Sequence, residues 1–344
     1  MKKLVVRYCG WGESWPIGQL ADDGHEILFE YSNEALRAGL ELSPIRLPVR
    51  SQAYGDFPIH LHRLPGLVAD SLPDGWGLLL MDRFFRSVGI DSSTLSPLDR
   101  LAFLGARSLG ALTFEPAAAV EPSPLDTTLL GLAREVKTAL AGNETEVLRH
   151  LLLLGGSPHG ARPKALVGFD PERRTISTVP ALNHRPYLIK FPGQNEHREV
   201  CAIEHAYCET ARACGLDVPA THHFDLGRTH AAFGSARFDV EDAMRVPVHT
   251  LAGALHADFR VPSVDYLSLL RATRAFTHDE SEVVKAFERA VFNVLFNNRD
   301  DHCKNFAFRL GRDRRWRLAP GYDLTFNVGP GGEHQMDVCG EARR

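Results

Sequence analysis

The stretch Asn297-Asn298-Arg299-Asp300-Asp301-His302-Cys303-Lys304-Asn305 concentrates carboxylates, amides and cations in one turn. Carboxylates beside a core need cations or donors to satisfy them. The i, i+3, i+4 spacing of Val283, Val284, Phe287, Ala290, Val291, Val294 and Leu295 predicts a buried helix leading straight into that turn. Asp300 and Asn305 are five residues apart, the separation between the proton-accepting Asp and the magnesium-holding Asn of phosphoryl-transfer loops. Asp323, in Pro320-Gly321-Tyr322-Asp323-Leu324, follows in the order of a second metal-binding carboxylate. A few hard oxygen ligands suit a magnesium ion that keeps waters and phosphate oxygens, and Lys304 could neutralise a migrating phosphoryl charge. A solvated turn with self-capping Asx bonds has the same composition, and His302 could equally orient the turn.

Lys190 ends the apolar run Tyr187-Leu188-Ile189-Lys190, where a buried ammonium without a counter-charge costs several kcal/mol. A phosphate of ATP would satisfy it. Glu204, on the helix expected next, would orient it, as in the strand-Lys to helix-Glu pair of kinases. A snorkelling Lys at a sheet edge is the alternative. Upstream, Gly155-Gly156-Ser157-Pro158-His159-Gly160-Ala161-Arg162-Pro163-Lys164 combines backbone freedom, exposed amides and two cations, the chemistry of a phosphate cradle. It is neither a Walker A loop nor G-x-G-x-x-G, and an ordinary Gly-rich turn would read alike. The Arg-rich stretch Arg309 to Arg317 reads as a solvated face.

These residues need a scaffold. Short β-like runs over Leu4 to Tyr8, Ile27 to Tyr31 and Ile45 to Val49 predict a small mixed sheet. Leu78 to Met81 and Leu98 to Leu104 read as helical, and Ala111 to Phe114 as a strand. The Ala-, Pro- and Glu-rich stretch Ala117 to Pro124 predicts a linker, dividing the chain into 1–116 and 117–344. Beyond it, Leu129 to Leu140 and Val147 to Leu154 have helical spacing. Strands over Ala165 to Phe169, Thr175 to Val179, Tyr187 to Phe191, Thr221 to Leu226 and Ala231 to Phe238 predict a five-stranded antiparallel lobe. It is interrupted by a helix from about Glu199 to Ala213 that Gly215 would cap. The rest is expected to be mainly helical, with a hairpin over Phe306 to Arg309 and Trp316 to Leu318.

Composition narrows the class. Of the 344 residues, 44% are hydrophobic and 24% charged, as in globular domains, and a net charge of −4 leaves no general footprint for nucleic acid. Cys9, Cys201, Cys208, Cys214, Cys303 and Cys339 form no C-x-x-C pair, so neither zinc nor disulfides are expected and a reduced cytoplasm is the economical compartment. The N-terminal apolar run is too short for a signal sequence, and no run of about 18 apolar residues predicts a membrane span.

Taken in order, these segments resemble the HipA family of serine/threonine kinases through nearly the whole chain. Ser71-Leu72-Pro73-Asp74-Gly75-Trp76, Leu98 to Gly105 and Gly110 to Pro116 are similar to its N-terminal subdomain. Ser157 to Lys164 resembles its Gly loop, Tyr187 to Lys190 its nucleotide-binding strand, and Arg237-Phe238-Asp239 its post-hinge triplet. Asn298 to Asn305 and Tyr322-Asp323 resemble its catalytic and metal-binding motifs. The resemblance implies an α+β, HipA-like kinase fold with an N-terminal α/β subdomain, an antiparallel nucleotide-binding sheet and a helical C-terminal part.

By the same resemblance Asp300 is the catalytic base assisted by Lys304, and Asn305 and Asp323 are the magnesium ligands. Lys190 with its partner Glu204, and Ser157, His159, Gly160, Ala161, Arg162, Lys164, Arg237, His302 and Tyr322, would surround ATP. Ser157 corresponds to the serine that family members autophosphorylate, which ejects the loop; a phosphate of up to about −2 charge beside a loop tuned for ATP phosphates gives that switch a physical cause. Asp301 sets a second carboxylate beside Asp300, and the spacing to Asn305 favours Asp300 as base. The family continues for several more helices beyond the position of Arg344.

The expected function is an ATP- and Mg2+-dependent protein kinase toxin. Its partners would be a protein substrate and a small helix-turn-helix antitoxin, with DNA reached only through that antitoxin and no membrane. A catalytically silent nucleotide- or antitoxin-binding module, and a kinase for a small hydroxyl-bearing metabolite, are the other classes compatible with these residues.

Overall fold

In the computed structural model, residues 1–117, 128–142, 145–155, 159–173, 175–177 and 184–343 are described. The linker expected at Ala117 to Pro124 lies, apart from Ala117, outside the described residues, as do Gly156, Ser157 and Pro158 of the Gly-rich loop.

The N-terminal part is built on strands β1 (Lys2–Tyr8), β2 (Trp15–Asp22) and β3 (Ile27–Tyr31), with helices α1 (Asn33–Ala38), α2 (Gly66–Ala69), α3 (Gly75–Ser87) and α4 (Pro97–Leu104) before strand β4 (Leu112–Glu115). The strands order as β3-β2-β1-β4, every pair antiparallel, where a mixed sheet was expected. Alternation drives the packing. Ile27, Phe29 and Tyr31 point into the core while Leu28 and Glu30 face outward. Helix α4 starts on a capping box between Ser96 and Asp99 with Pro97 in its first turn.

Ile45 to Val49 is not a strand. Pro44 precedes it and Pro48 lies within it, each lacking a backbone donor, and Leu47 donates back to the Ser43 carbonyl at 2.9 Å in a turn. Strand β2 was not foreseen, because Pro16 and Gly18 interrupt its alternation. A Cβ at Gly18 would sit 2.3 Å from the Glu30 carbonyl oxygen, so the position admits only glycine.

Helices α5 (Leu129–Ala141) and α6 (Thr145–Gly155) lead into strands β5 (Lys164–Asp170), β6 (Thr175–Ser177) and β7 (Arg185–Lys190), helix α7 (Val200–Ala213), and strands β8 (Thr221–Asp225) and β9 (Ala231–Ala236). These strands form the five-stranded antiparallel sheet β6-β5-β7-β9-β8. Lys164 on β5 pairs in register with Lys190 on β7, which sets two lysines at the same end of adjacent strands.

The remainder contains strands β10 (Val240–Glu241), β11 (Met244–Arg245) and β12 (Val248–Thr250), helices α8 (Leu251–Leu255), α9 (Tyr266–Thr277) and α10 (Glu280–Leu295), and strands β13 (Ala307–Leu310) and β14 (Trp316–Leu318). The expected hairpin is β13-β14, extended to three strands by β12. Arg309, Arg312 and Arg317 in and around it pair with Glu241, Asp242 and Asp313, as a solvated face does.

Helix α10 departs from expectation. Of the apolar residues read as one buried face, Val283 and Ala290 are buried, but Val284 is 54%, Phe287 55% and Leu295 70% exposed. The inward face mixes Ala286 and Phe292 with Glu282, Arg289 and Asn293. Glu282 accepts from the Leu318 amide, Arg289 Nη2 donates to the Ala319 carbonyl and Asn293 donates to the Tyr266 hydroxyl. Periodicity identifies residues that share a face; it does not say which face meets the core.

The two parts are fastened by Asp70. Its carboxylate accepts from His249 Nδ1 at 2.7 Å and from the Thr250 amide and hydroxyl at 2.7 Å each, while His249 Nε2 meets Ser43 Oγ at 3.0 Å. Serine, imidazole and carboxylate stand in the connectivity of an acyl-transfer triad. Ser43 and His249 are wholly buried, however, so no substrate carbonyl reaches them and the line is a staple. Burial opposes the charge on Asp70, yet its bonds to His249 and Thr250 hold its carboxyl below the ordinary carboxylate range. Its contribution is therefore complete above the unfolded carboxylate pKa and is lost as pH falls through the lowered folded value. Asp70→Ala, which strands these donors, is expected to cost about 3 kcal/mol in urea unfolding at neutral pH. The difference from the parent should shrink in acid; a constant difference across that range would contradict the linkage.

Candidate active site

The turn after α10 places its two adjacent carboxylates in opposite environments. Asp301 has no exposed surface and is enclosed by the Tyr266 hydroxyl at 2.5 Å, His334 Nδ1 at 2.7 Å and the Gln335 amide at 2.8 Å. Asp300 keeps 45% of its side chain exposed. Gln335 Nε2 donates to Asp300 Oδ1 at 3.0 Å, and Asn305 Nδ2 donates to the Asp300 backbone carbonyl at 2.6 Å. With Nδ2 used in this way, Asn305 Oδ1 is the atom that could face a cation. His302 Nε2 lies 3.9 Å from Asp300, and its ring packs 5.3 Å from that of Phe259.

A second cluster gathers on Lys190, which ends β7. Its ammonium meets Glu204 of α7 at 2.6 Å and also contacts Asp323. Burial works against its charge, but Asp323 and Glu204 raise its pKa above the ordinary lysine value. Glu204 is shared with Arg162 at 2.9 Å, and Arg162 also reaches Glu196 at 3.0 Å. Asp323 has φ +55, a left-handed conformation that an aspartate tolerates at a cost, and it brings its carboxylate to the lysine. Tyr322 donates to the Lys304 carbonyl at 2.8 Å, tying this segment to the Asp300–Asn305 turn, and its ring lies 5.5 Å from Phe238.

The described end of the Gly-rich loop faces the same region. Lys164 is buried and donates to the His159 carbonyl. Burial, then the charge of Lys190, push its pKa down to about 8. The Gly160 amide donates to Asp74 at 2.5 Å, and Lys304 donates to the other oxygen of Asp74 at 2.7 Å. Burial opposes the charge on Asp74, but His159 when protonated, Lys304 and the Gly160 amide hold its carboxyl well below the usual range. His159, desolvated and repelled by Lys304, is itself pushed down to about 4, so at neutral pH Lys304 and Gly160 are the partners that act.

The structure thus groups Lys190, Glu204, Arg162 and Asp323, and separately Asp300, Asn305 and His302, with Tyr322 and Lys304 between them. Ala161 lies next to Gly160, where a Cβ at Gly75 would meet its Cα at 2.9 Å. Arg237 stands apart in a bidentate pair with Asp239 at 2.9 and 2.8 Å, and Asp239 accepts the Gly110 amide. The guanidinium thereby holds Asp239, which in turn fastens the N-terminal part at Gly110. Ser157 lies outside the described residues. Asp74, Glu196 and Gln335 went unforeseen as site residues. Pro73-Asp74-Gly75 carries a turn signature that points to no partner, and Gln335 is brought in by the anchoring of its neighbour His334 on Asp301.

Among the described residues no three His, Cys, Asp or Glu side chains form a metal cage. Asn305 and Asp323 are the residues that could hold a magnesium ion, which takes few protein oxygens and keeps water and phosphate ligands. No helix among them is long and apolar enough to cross a membrane.

Residues 156–344 match the family model of the HipA-like C-terminal domain, and residues 11–115 that of the HipA N-terminal domain. A Haemophilus influenzae protein named "Putative kinase" is 24% identical over 49% of this chain and 54% of its own length, so the match spans about half of that relative. "Putative kinase Y4mE" of Sinorhizobium fredii is 28% identical over 92% of this chain and 76% of its own length. Among solved structures, Shewanella oneidensis MR-1 HipA, in complex with HipB and its operator DNA, superposes with a TM-score of 0.71 at 19% identity. That superposition covers 98% of this chain and 80% of the other.

Proposed function

The chain belongs to the HipA family, and from that premise we propose that it is an ATP- and magnesium-dependent serine/threonine protein kinase acting as the toxin of a toxin–antitoxin pair. The observation that carries the reading is the Lys190–Glu204–Asp323 cluster, with the Asp300–Asn305 turn tied to it through Tyr322 and Lys304. These are the strand lysine, helix glutamate, metal carboxylate and catalytic-turn pair that phosphoryl transfer requires.

Bound magnesium–ATP supplies the phosphoryl group and neutralises part of its charge. Lys190, Lys164 and the amides around Gly160 would hold its phosphates, and Asn305 with Asp323 its metal. Asp300, exposed on one side and oriented by Gln335, accepts the proton of the acceptor hydroxyl. Lys190 and Arg162 already face carboxylates, so the pocket is not a vacant basic site. A polyphosphate would therefore need a divalent cation alongside it, which Asp323 and Asn305 would hold, and this supports the metal requirement. The fold it shares with a HipA solved with HipB and DNA supports an antitoxin partner for this chain as well, with DNA reached through it.

Incubation with ATP and magnesium, followed by intact and peptide mass spectrometry, tests the assignment. One phosphoryl adduct on the peptide carrying Ser157 is expected, absent from Ser157→Ala. ATP binding with no adduct on this chain or on any added protein would instead favour a silent binding module.

A further inference from the structure

Two donors suited to a phosphate are held together by a carboxylate from the other part of the chain. The Gly160 amide reaches one oxygen of Asp74 at 2.5 Å and the Lys304 ammonium the other at 2.7 Å. A carboxylate and a phosphate offer such donors the same thing, two acceptor oxygens with negative charge. Lys304 also lies 4.6 Å from the Phe259 ring centroid, an apolar neighbour that strengthens its pull on whatever anion it meets.

The approach of Asp74 is built rather than incidental. The Trp76 amide donates to the Gly160 carbonyl at 3.1 Å, so Gly160 is gripped through both its N–H and its C=O. Gly75, at φ +42, leaves no room for a side chain, since a Cβ there would sit 2.5 Å from the Gly160 carbonyl oxygen. The side chain of Asp74 is only 15% exposed, so water screens the pair weakly. Asp74 also lines a recess with His60, His62, Phe259, Arg260 and Lys304.

We infer that Asp74 is a built-in phosphate surrogate: its carboxylate fills an anion subsite made by the Gly160 amide and Lys304, and nucleotide phosphate must displace it. The N-terminal part thereby sets how tightly the nucleotide is held, because every binding event carries the cost of undoing the Asp74 contacts. This rests on the nucleotide reading above. Neither the family resemblance nor the spacing of the motifs assigns a role to Asp74.

The experiment is calorimetric titration of the full chain and of Asp74→Asn with magnesium–ATP and, separately, with adenosine. The variant keeps an acceptor for the Gly160 amide and removes the charge. It is expected to bind ATP about five- to tenfold more tightly, the lower part of the usual range for coupled equilibria, with adenosine affinity unchanged. Asp74→Ser carries the same test if Asp74→Asn does not fold. Equal or weaker ATP binding by a folded variant, or an equal gain for adenosine, overturns the inference while leaving the nucleotide site intact. Failure of parent and variants alike to bind ATP overturns the nucleotide reading and this inference with it.

Discussion

Asp300→Asn is expected to lower phosphoryl transfer by about a hundredfold or more, the scale of a positioned general base, with ATP binding retained. The neighbouring carboxylate cannot take over. Asp301 is spent on Tyr266, His334 and the Gln335 amide, has no exposed surface, and could accept a proton only by breaking that network. Asp300 has the opposite character: one oxygen is steadied by Gln335, its backbone is pinned by Asn305, and nearly half its side chain is open to an acceptor. Single-turnover transfer and ATP titration on the same preparation separate the two effects. A rate within about threefold of the parent, far below that scale, would remove Asp300 from the base role.

Lys190→Met is expected to produce two losses at once. Transfer should fall by about a hundredfold or more, the usual effect of deleting one preorganised electrostatic contact, and weaker ATP binding should accompany it. Stability without nucleotide should fall by about 3 kcal/mol in urea unfolding. The physical cause is the company Lys190 keeps. Glu204 retains Arg162 at 2.9 Å when Lys190 is gone, but Asp323 loses the ammonium that holds its carboxyl below the ordinary range. Asp323 is 31% exposed and then keeps chiefly the charge of Lys164, and a partly buried carboxylate deprived of its contacting cation is costly. Methionine replaces the volume, so packing alone does not account for the loss. A variant that unfolds like the parent would show the triad to be weakly coupled to the fold. One that transfers at the parent rate would take Lys190 out of the phosphate site.

Much of the scaffold was legible because its signals are local. Strands β5, β7, β8 and β9 follow short runs of alternation, and the hairpin β13-β14 follows Phe308 and Trp316 across an Arg- and Asp-rich turn. The failures are local as well. Pro44 and Pro48 convert an apolar run into a turn, and Pro16 with Gly18 conceals a true strand. On α10 the pattern is genuine, but much of the stripe faces outward, because Glu282, Arg289 and Asn293 find buried partners that no periodicity records.

The order of the motifs, the five-residue spacing of Asp300 and Asn305, and the strand and helix that carry Lys190 and Glu204 are legible in the chain before it folds. Spacing and propensity are properties of neighbouring residues, so they survive without the fold. Packing settles which of Asp300 and Asp301 stays open, since that depends on His334 and Tyr266 arriving from 33 and 35 residues away. It alone set Lys190 against Asp323 across 133 residues, and Asp74 against Lys304 across 230. Such pairings arise where separate packed layers meet, and a side chain's partner there is chosen by the layer opposite it rather than by its neighbours along the chain.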